Sequence, residues 1–544
     1  MQRLTVVLLA CAGLALSLPG ARAAGETDGR APQTTAPATT GALPVATPSP
    51  GSTAMTPDRG EAATRAESSD VDTAIAAAIR EALGNLPAAK TEEDQKEHAA
   101  LAEFYAARAY APLWVVKGQW HERSAQVRAE IVRAGDYGLE AADFALPGER
   151  LAVGSAGGAA AELQLSEAAL LYARHARGGR IMDPAEQLHS NLNRVPQLVE
   201  PKEVLDGLAA ASDAAEYLRS LHPQHPQFER LRGKYVEVRD KDKTLARRLI
   251  ANMEQWRWMW TDMGDLHLIA NVPEHMIHLH KDGHEIHSER IAVGETDKQT
   301  AVFTRTLKHI VLRPMWRVPE SIMVRELLPS LRRGGGLMRQ YGLQLETKDG
   351  KKLDWRTIDW STTDIRQFNV TQPPGPKNAL GKVKFSFPSQ YTIYMHDTPD
   401  KWMFNPSRRT LTHGCMRLRN PMKLAEILLK EDKGWEPDQI EKLSRSGPLD
   451  NHIAIERKIP FHMTYFTVWI GDDGKVHQYR DVYGHEKRIG QALDKQWSRI
   501  DKGRDYLAPV QPVASGTAGQ APRYARVKRK SQQSYDLFGA LLGE

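Results

Sequence analysis

The chain has 544 residues, of which 41% are hydrophobic and 26% are charged, and its formal net charge is +6. This composition is typical of a globular chain with several domains and excludes a bundle of membrane-spanning helices. The two cysteines exclude a disulfide-rich scaffold and a zinc site made of four thiolates. Most of the net positive charge lies in the first residues and after residue 503, so a nucleic-acid partner is not indicated.

The first residues predict export. A short basic start is followed by an apolar run over residues 4–18, and residues 21–23 have the Ala-x-Ala pattern of a cleavage site. We therefore predict a signal peptide over residues 1–23 and a mature protein outside the cytoplasm. A lipoprotein cleaved before Cys11 is the alternative, but its apolar region would be short. No later stretch is long and apolar enough to predict a transmembrane anchor, which needs about 20 residues.

Composition and periodicity divide the remaining chain into an α+β multidomain protein. Residues 24–69 are rich in Thr, Ala and Pro and predict a disordered linker. Apolar residues recur at helical spacing over residues 70–240, which predicts an all-helical scaffold domain. A period of two then predicts a β-rich domain over residues 241–490, interrupted at 321–372 by an inserted lid subdomain. Residues 508–544 predict a disordered basic tail.

Three tryptophans, Trp256, Trp258 and Trp260, close the last helix before the β-rich domain. They could form a surface on which sugars stack. Because residues two apart do not share a helical face, we favour a wedge that packs the two domains together.

Five histidines crowd one predicted hairpin, whose turn is Lys281-Asp282-Gly283. Alternation places His278 and His280 on one face, but no carboxylate or cysteine evidently completes a set of metal ligands. We therefore predict no metal site there. The five are His275, His278, His280, His284 and His287.

Once Cys11 leaves with the signal peptide, Cys415 is the single cysteine in a compartment where cysteines normally pair. It lies in Thr412-His413-Gly414-Cys415-Met416-Arg417, beside cationic and potentially cationic side chains. Such surroundings favour the thiolate and predict a pKa below the usual value of about 8.5. We therefore interpret Cys415 as a nucleophile.

A thiol nucleophile in acyl transfer needs a base and donors for the oxyanion. His396 ends a predicted strand over residues 391–396, with Tyr394 on the same face, and Asp397 follows at a turn able to orient the ring. Gly414 permits close backbone approach, so the amides of Gly414 and Cys415 could form the oxyanion hole.

These residues resemble the signature of the L,D-transpeptidases, the YkuD-type enzymes that cross-link peptidoglycan. Sixteen residues separate His396 from His413-Gly414-Cys415, as in that signature. The resemblance covers about residues 245–490, and more loosely the helical region. A peptidoglycan-binding module, usual between the two halves, is missing. The motifs that resemble the large YcbB-type branch are residues 316–319, 372–381, 383–385, 394–399 and 464–465.

The resemblance implies a periplasmic cysteine acyltransferase that needs no cofactor. Cys415 would attack the carbonyl of the third residue of a donor tetrapeptide stem and expel D-alanine. The amine of an acceptor stem's third residue, usually diaminopimelate, would then attack the thioacyl enzyme and give a 3→3 cross-link, with His396 moving the proton. Carbapenems would acylate the same thiol. His413 and Tyr394 would shape the pocket, and Arg417 would hold a substrate carboxylate or form a structural ion pair.

Other outcomes stay open. Water as acceptor would give an L,D-carboxypeptidase, a free D-amino acid would give exchange, and a lysine would give lipoprotein attachment. A secreted cysteine protease would use the same thiol and imidazole. A wall-binding protein without catalysis would need a carbohydrate module, and the sequence offers none.

Overall fold

The computed structural model describes residues 59–391 and 393–508. The predicted signal peptide, the linker up to residue 58 and the tail from residue 509 lie outside the described residues. The elements below belong to one compact unit, Gly60–Glu544, apart from Arg59, the first residue of the first helix. The first helix begins at Arg59, inside the segment predicted to be a disordered linker.

Helices dominate the first half of the described chain. A short hairpin interrupts them because Lys117 and Gly118 both have positive φ, the geometry of a tight hairpin turn. Thr91 and Asp94 form a capping box at the start of the second helix. The elements are α1 (Arg59–Gly84), α2 (Glu92–Ala107), β1 (Val115–Val116), β2 (Gln119–Trp120), α3 (Glu122–Val132), α4 (Ser155–Gly178), α5 (Pro184–Gln187), α6 (Pro201–Ala210), α7 (Ala214–Ser220), α8 (Pro226–Val238) and α9 (Lys243–Arg257).

One buried carboxylate fixes the hairpin to the helices. Glu162 of α4 is fully buried and accepts hydrogen bonds from the Trp114 and Val115 amides at 2.8 and 2.9 Å. It also accepts bonds from the Leu113 amide at 2.5 Å and the Tyr105 hydroxyl at 2.7 Å. A buried carboxylate requires hydrogen-bond donors. Glu162 finds three of them in consecutive backbone amides, and in turn it satisfies those amides.

The tryptophan run joins the helical half to the β-rich half. Trp256 is 1% exposed and stacks on Phe466 with ring centroids 4.8 Å apart. Trp258 packs instead in the core of the β-rich half. The two tryptophans therefore enter different cores, and the predicted wedge between domains is confirmed.

The β-rich half begins with strands and then accommodates the insertion. Its first part contains β3 (Leu266–Asn271), β4 (Met276–Lys281), β5 (His284–Gly294), β6 (Phe303–Thr306), β7 (His309–Leu312), β8 (Trp316–Arg317), α10 (Glu320–Ile322), a π-helical turn (Met323–Leu327), α11 (Leu328–Arg332), α12 (Gly336–Gln340), β9 (Gln344–Glu346), β10 (Lys352–Leu353) and β11 (Asn369–Gln372).

The remaining elements carry the motifs singled out in the sequence. They are β12 (Val383–Ser386), β13 (Met395–His396), β14 (Thr410–Thr412), β15 (Met416–Leu418), α13 (Pro421–Lys433), α14 (Pro437–Ser446), β16 (Asn451–Ala454), β17 (Pro460–Thr464), β18 (Val468–Ile470), β19 (Val476–Gln478) and α15 (His485–Leu493). The predicted hairpin turn Lys281-Asp282-Gly283 is confirmed, since β4 pairs antiparallel with β5. A second hairpin pairs β18 antiparallel with β19.

One large sheet has the strand order β16-β7-β12-β13-β15-β5-β4-β3-β17-β6, with β14 paired to β5. Most neighbours are antiparallel, but β13 and β15 run parallel at its middle. The predicted strand 391–396 is shorter than expected, because only Met395 and His396 pair with both β12 and β15. In the described chain, no helix has the length and apolar character that a membrane crossing requires.

The insertion forms a subdomain with its own sheet, ordered β10-β9-β11-β8, and its own hydrophobic core. That core also includes Trp316, Ala379 and Leu380, outside the predicted range 321–372. Gly335 has φ +70°, and a Cβ added there would lie 2.2 Å from the Trp355 ring. Gly335 therefore has a packing role, because only a residue without a side chain leaves room for Trp355.

Candidate active site

The parallel pairing of β13 with β15 assembles the site. Met395 is opposite Met416 and His396 is opposite Arg417 in this register, and the Met416 amide donates to the Tyr394 carbonyl at 3.0 Å. This register places the turn that ends in Cys415 beside the strand that ends in His396. The two residues predicted from sequence spacing therefore come together.

Both side chains line one cavity of about 330 Å³. The inserted subdomain contributes part of its wall, through Pro319 and Ile322 among others. The predicted residues Tyr394, His413 and Arg417 line it too, whereas Gly414 lines an adjoining cavity. The site is thus enclosed by elements far apart in sequence.

The thiol of Cys415 has a raised pKa, contrary to our prediction. Burial disfavours the thiolate and outweighs a backbone hydrogen bond from Tyr394 and the positive charges of Arg417 and Lys384. The prediction considered only the neighbouring charges and missed the desolvation. At rest the sulfur is a protonated thiol.

His396 is uncharged at rest and therefore has a ring nitrogen free to take up a proton. It is 3% exposed, and burial together with the charge of Arg417 lowers its pKa to about 3, so the imidazole is neutral. Its Nδ1 lies 2.5 Å from the backbone oxygen of Asp397, which orients the ring. The Asp397 carboxylate points elsewhere and accepts from the Lys401 ammonium at 2.7 Å and the Lys382 amide at 2.9 Å.

Hydroxyl groups hold the turn before the nucleophile. Thr412 accepts from the Gly414 amide at 3.2 Å and donates to the Cys415 carbonyl at 2.7 Å. Thr300 donates to the Gly414 carbonyl at 2.7 Å. Gly414 has φ +110°, a conformation that side chains disfavour. To donate to an oxyanion, the Gly414 amide would first have to give up its hydrogen bond to the Thr412 hydroxyl.

His413 connects the nucleophile turn to the inserted subdomain. Its Nε2 lies 2.9 Å from the Glu326 carboxylate, in the π-helical turn, and 3.1 Å from the Lys298 ammonium. Arg417 is 1% exposed, lies 3.7 Å from the Asp400 carboxylate and donates to the Met403 sulfur at 2.8 Å. This geometry favours the structural ion pair of the two roles we considered for Arg417.

Sequence reasoning missed Lys384. This residue is opposite His396 in the β12–β13 register and is 8% exposed. Its ammonium lies 5.0 Å from the centroid of the Tyr394 ring, and burial lowers its pKa. The strand pattern around Lys384 gave no sign that a cation lies next to the thiol.

Sequence reasoning also missed the segment after α15. Tyr506 lines the same cavity as Cys415, although we predicted that the catalytic domain ends at residue 490. Its amide donates to Ser190 Oγ at 3.0 Å, and its hydroxyl accepts from the Gln299 amide at 3.2 Å. Tyr506 therefore bridges the helical half and the β-rich half at the site.

The histidine hairpin holds ion pairs. His278 lies 2.7 Å from Glu285 and 3.3 Å from Glu274, and these carboxylates raise its pKa to about 9 against the effect of burial. Among residues 59–391 and 393–508, no group of three or more histidine, cysteine, aspartate or glutamate side chains is placed to hold a metal ion.

A buried thiol, a neutral imidazole and an enclosed cavity define an enzyme site for acyl transfer. The chain matches two family models, one for the Scaffold domain over residues 99–234 and one for the YkuD L,D-transpeptidase catalytic domain over residues 265–435. The chain therefore carries an L,D-transpeptidase catalytic domain, which is an enzyme domain, behind an N-terminal Scaffold domain.

A relative from Haemophilus influenzae that bears a provisional L,D-transpeptidase name is 27% identical over 413 residues, which cover 74% of this chain and 81% of the relative. A solved L,D-transpeptidase from Mycobacterium smegmatis is 13% identical, with a TM-score of 0.16. That match covers 37% of this chain and 58% of the other, and it supports no structural argument.

The raised pKa of Cys415 predicts how the reactivity of its thiol changes with pH. Because the pKa of Cys415 is raised, alkylation by iodoacetamide should increase with pH, with a midpoint above the usual thiol value of about 8.5. Mass spectrometry of the modified protein at each pH measures this rate, with Cys415→Ala as background. A rate that is already constant at pH 7 would mean that the thiolate exists at rest.

Proposed function

We propose that this protein is a periplasmic peptidoglycan L,D-transpeptidase that forms 3→3 cross-links through a thioacyl enzyme on Cys415. The observation that carries the proposal is the shared cavity of Cys415 and His396 inside a catalytic domain of this family. The donor is a tetrapeptide stem, and the acceptor is the diaminopimelate amine of a second stem.

Proton transfer accompanies the attack in this proposal. His396 takes the thiol proton as sulfur bonds to the carbonyl carbon of the third stem residue, and the carbonyl electrons move to oxygen. Collapse of this intermediate breaks the bond to D-alanine, whose nitrogen receives the proton from His396. The acceptor amine then attacks the thioester, loses its proton through His396 and expels the Cys415 sulfur, which is reprotonated.

Burial supports this sequence of steps. A neutral imidazole with a pKa of about 3 is a weak base toward a thiol at rest, so the pair stays uncharged until substrate binds. The positive charges of Arg417 and Lys384 favour the negative charge that develops on sulfur during attack. The cavity walls keep that charge away from bulk water.

The same acyl enzyme could pass its acyl group to water, a free D-amino acid or a lipoprotein lysine. These are the alternatives to cross-linking, and a secreted cysteine protease is a more distant one. The proposal also predicts that a carbapenem acylates Cys415, since such compounds mimic an acyl donor.

The test uses the purified protein and disaccharide tetrapeptides. We expect dimers joined between two third residues, together with released D-alanine, both identified by liquid chromatography and mass spectrometry. Cys415→Ala should form neither, and Cys415→Ser should lose at least about a hundredfold in rate because serine is not activated to the same extent. D-alanine release without dimers would identify a carboxypeptidase, and cleavage of casein without D-alanine release would identify a protease.

We also propose that the inserted subdomain acts as a lid over the donor stem. Pro319, Glu320 and Ile322 of this subdomain line the cavity, and Glu326 lies 2.9 Å from His413, two residues before the nucleophile. A π-helical turn such as the one that contains Glu326 is frequent at functional sites. A lid held in this way would exclude water from the thioacyl enzyme.

Removal of the Glu326 carboxylate tests the lid. Glu326→Ala should raise the ratio of hydrolysed tripeptide to dimer by about three- to tenfold, because the lid loses a hydrogen bond to a partly buried partner. Chromatography of the products measures the ratio. Asp349→Asn removes a charge from an exposed position of the same subdomain and should leave the ratio unchanged. An unchanged ratio in folded Glu326→Ala would contradict the lid.

A further inference from the structure

A second cavity adjoins the catalytic one. It has a volume of about 150 Å³ and shares His413, Ser321 and Tyr506 with the first cavity, while Gly414 belongs to its wall. Its remaining wall includes Lys298, Arg325 and Arg504 from three separate parts of the chain. Any ligand in this cavity would therefore lie next to the nucleophile turn and meet several cationic groups.

Two of these cations are the guanidinium groups of Arg325 and Arg504. In the part of the chain that the structure describes, neither Arg325 nor Arg504 has a carboxylate within 4 Å or a hydrogen-bond acceptor. They lie close enough for the charge of Arg504 to lower the pKa of Arg325, together with burial. Guanidinium groups stay protonated in proteins, so this repulsion persists unless an anion enters between them.

The acidic groups nearby do not neutralise the cavity. Glu326 belongs to its wall, but its carboxylate contacts His413 at 2.9 Å, and Lys298 is held 3.5 Å from Glu295. Asp297 acts on Arg325 only from a distance beyond ion-pair contact. Two cations thus face the cavity with unused donors, which suits a carboxylate bound through paired N–H groups.

The segment 501–506 positions the Arg504 guanidinium group at this cavity. Arg488 donates to the Asp501 carbonyl at 2.6 Å, and Tyr506 bonds to Ser190 and Gln299, as described above. Arg504 lies between these anchors in sequence, and its guanidinium group lies 5.3 Å from the centroid of the Tyr506 ring. This arrangement holds the cation at the cavity without an ion pair, and it lies outside the residues that match the family model.

We propose that Arg325 and Arg504 form a subsite that binds a free carboxylate of a stem peptide beside the nucleophile turn. The proposal rests on the proposed function and deepens it, because it assigns part of the substrate selection to Arg504, outside the residues that match the catalytic-domain model. The carboxylate belongs either to the terminal D-alanine of the donor or to the third residue of the acceptor. Both sources present the same chemistry to the two guanidinium groups.

The experiment separates the two sources. Arg325→Gln and Arg504→Gln are compared with the unchanged protein on tetrapeptide stems with free carboxylates and on stems with one carboxylate converted to a carboxamide. The donor arm measures, at limiting donor, kcat/KM for release of D-alanine, or of D-alaninamide when the terminal carboxylate has been converted to a carboxamide. The acceptor arm measures the ratio of dimer to hydrolysed tripeptide at saturating donor.

We expect each variant to lose about tenfold in one arm on the free carboxylate, because a charge-assisted hydrogen bond disappears. The same variant should lose nothing further on the matching carboxamide. Arg333→Gln and Lys502→Gln serve as controls, since both remove an exposed charge near the same elements without lining the cavity. Thermal unfolding of every variant confirms that each is folded.

Loss in the donor arm would assign the subsite to the D-alanine carboxylate, and loss in the acceptor arm would assign it to the third residue. Equal losses on the carboxylate and on the carboxamide would overturn the proposal, as would unchanged values in both arms. If the unchanged protein released no D-alanine and formed no dimer, the proposed function would fail, and the subsite with it.

Discussion

The parallel pairing of β13 with β15 is the constraint on which the site depends. It places His396 opposite Arg417 and brings the Gly414-Cys415 turn beside Tyr394, although these residues come from separate parts of the sequence. The antiparallel neighbours β12 and β5 fix the pair at the middle of the large sheet. A register shift of one residue would reverse every side chain of β13 and separate base from nucleophile.

Burial at this position determines the chemistry. Desolvation raises the pKa of the thiol and lowers the pKa of the imidazole, so both are neutral at rest, and in the proposed reaction the proton moves when a substrate carbonyl is attacked. The nearby cations Arg417 and Lys384 oppose this effect on sulfur without overcoming it. The inserted subdomain and the segment around Tyr506 complete the wall of the cavity that contains Cys415. The reactivity of Cys415 therefore depends on segments outside its own motif.

Local signals in the sequence were sufficient to single out Cys415 and His396, which the fold brings to one cavity, and to predict the Lys281-Asp282-Gly283 turn and the tryptophan wedge, because each depends on neighbouring residues or on a short period. They were insufficient for Thr300, Glu326 and Tyr506, which reach the site only through tertiary packing. The direction of the Cys415 pKa was wrong for the same reason, since burial is set by distant elements. The packing role of Gly335 depends on Trp355, which no local pattern connects to it.

The most direct test of the account is the covalent intermediate itself. The protein is mixed with a tetrapeptide stem, quenched in acid within one turnover, and examined by intact-protein and peptide mass spectrometry. We expect a mass increase equal to the stem without its D-alanine, located on the peptide that contains Cys415. Turnover of the stem with no acyl group on that peptide would contradict the assignment of Cys415 as the nucleophile.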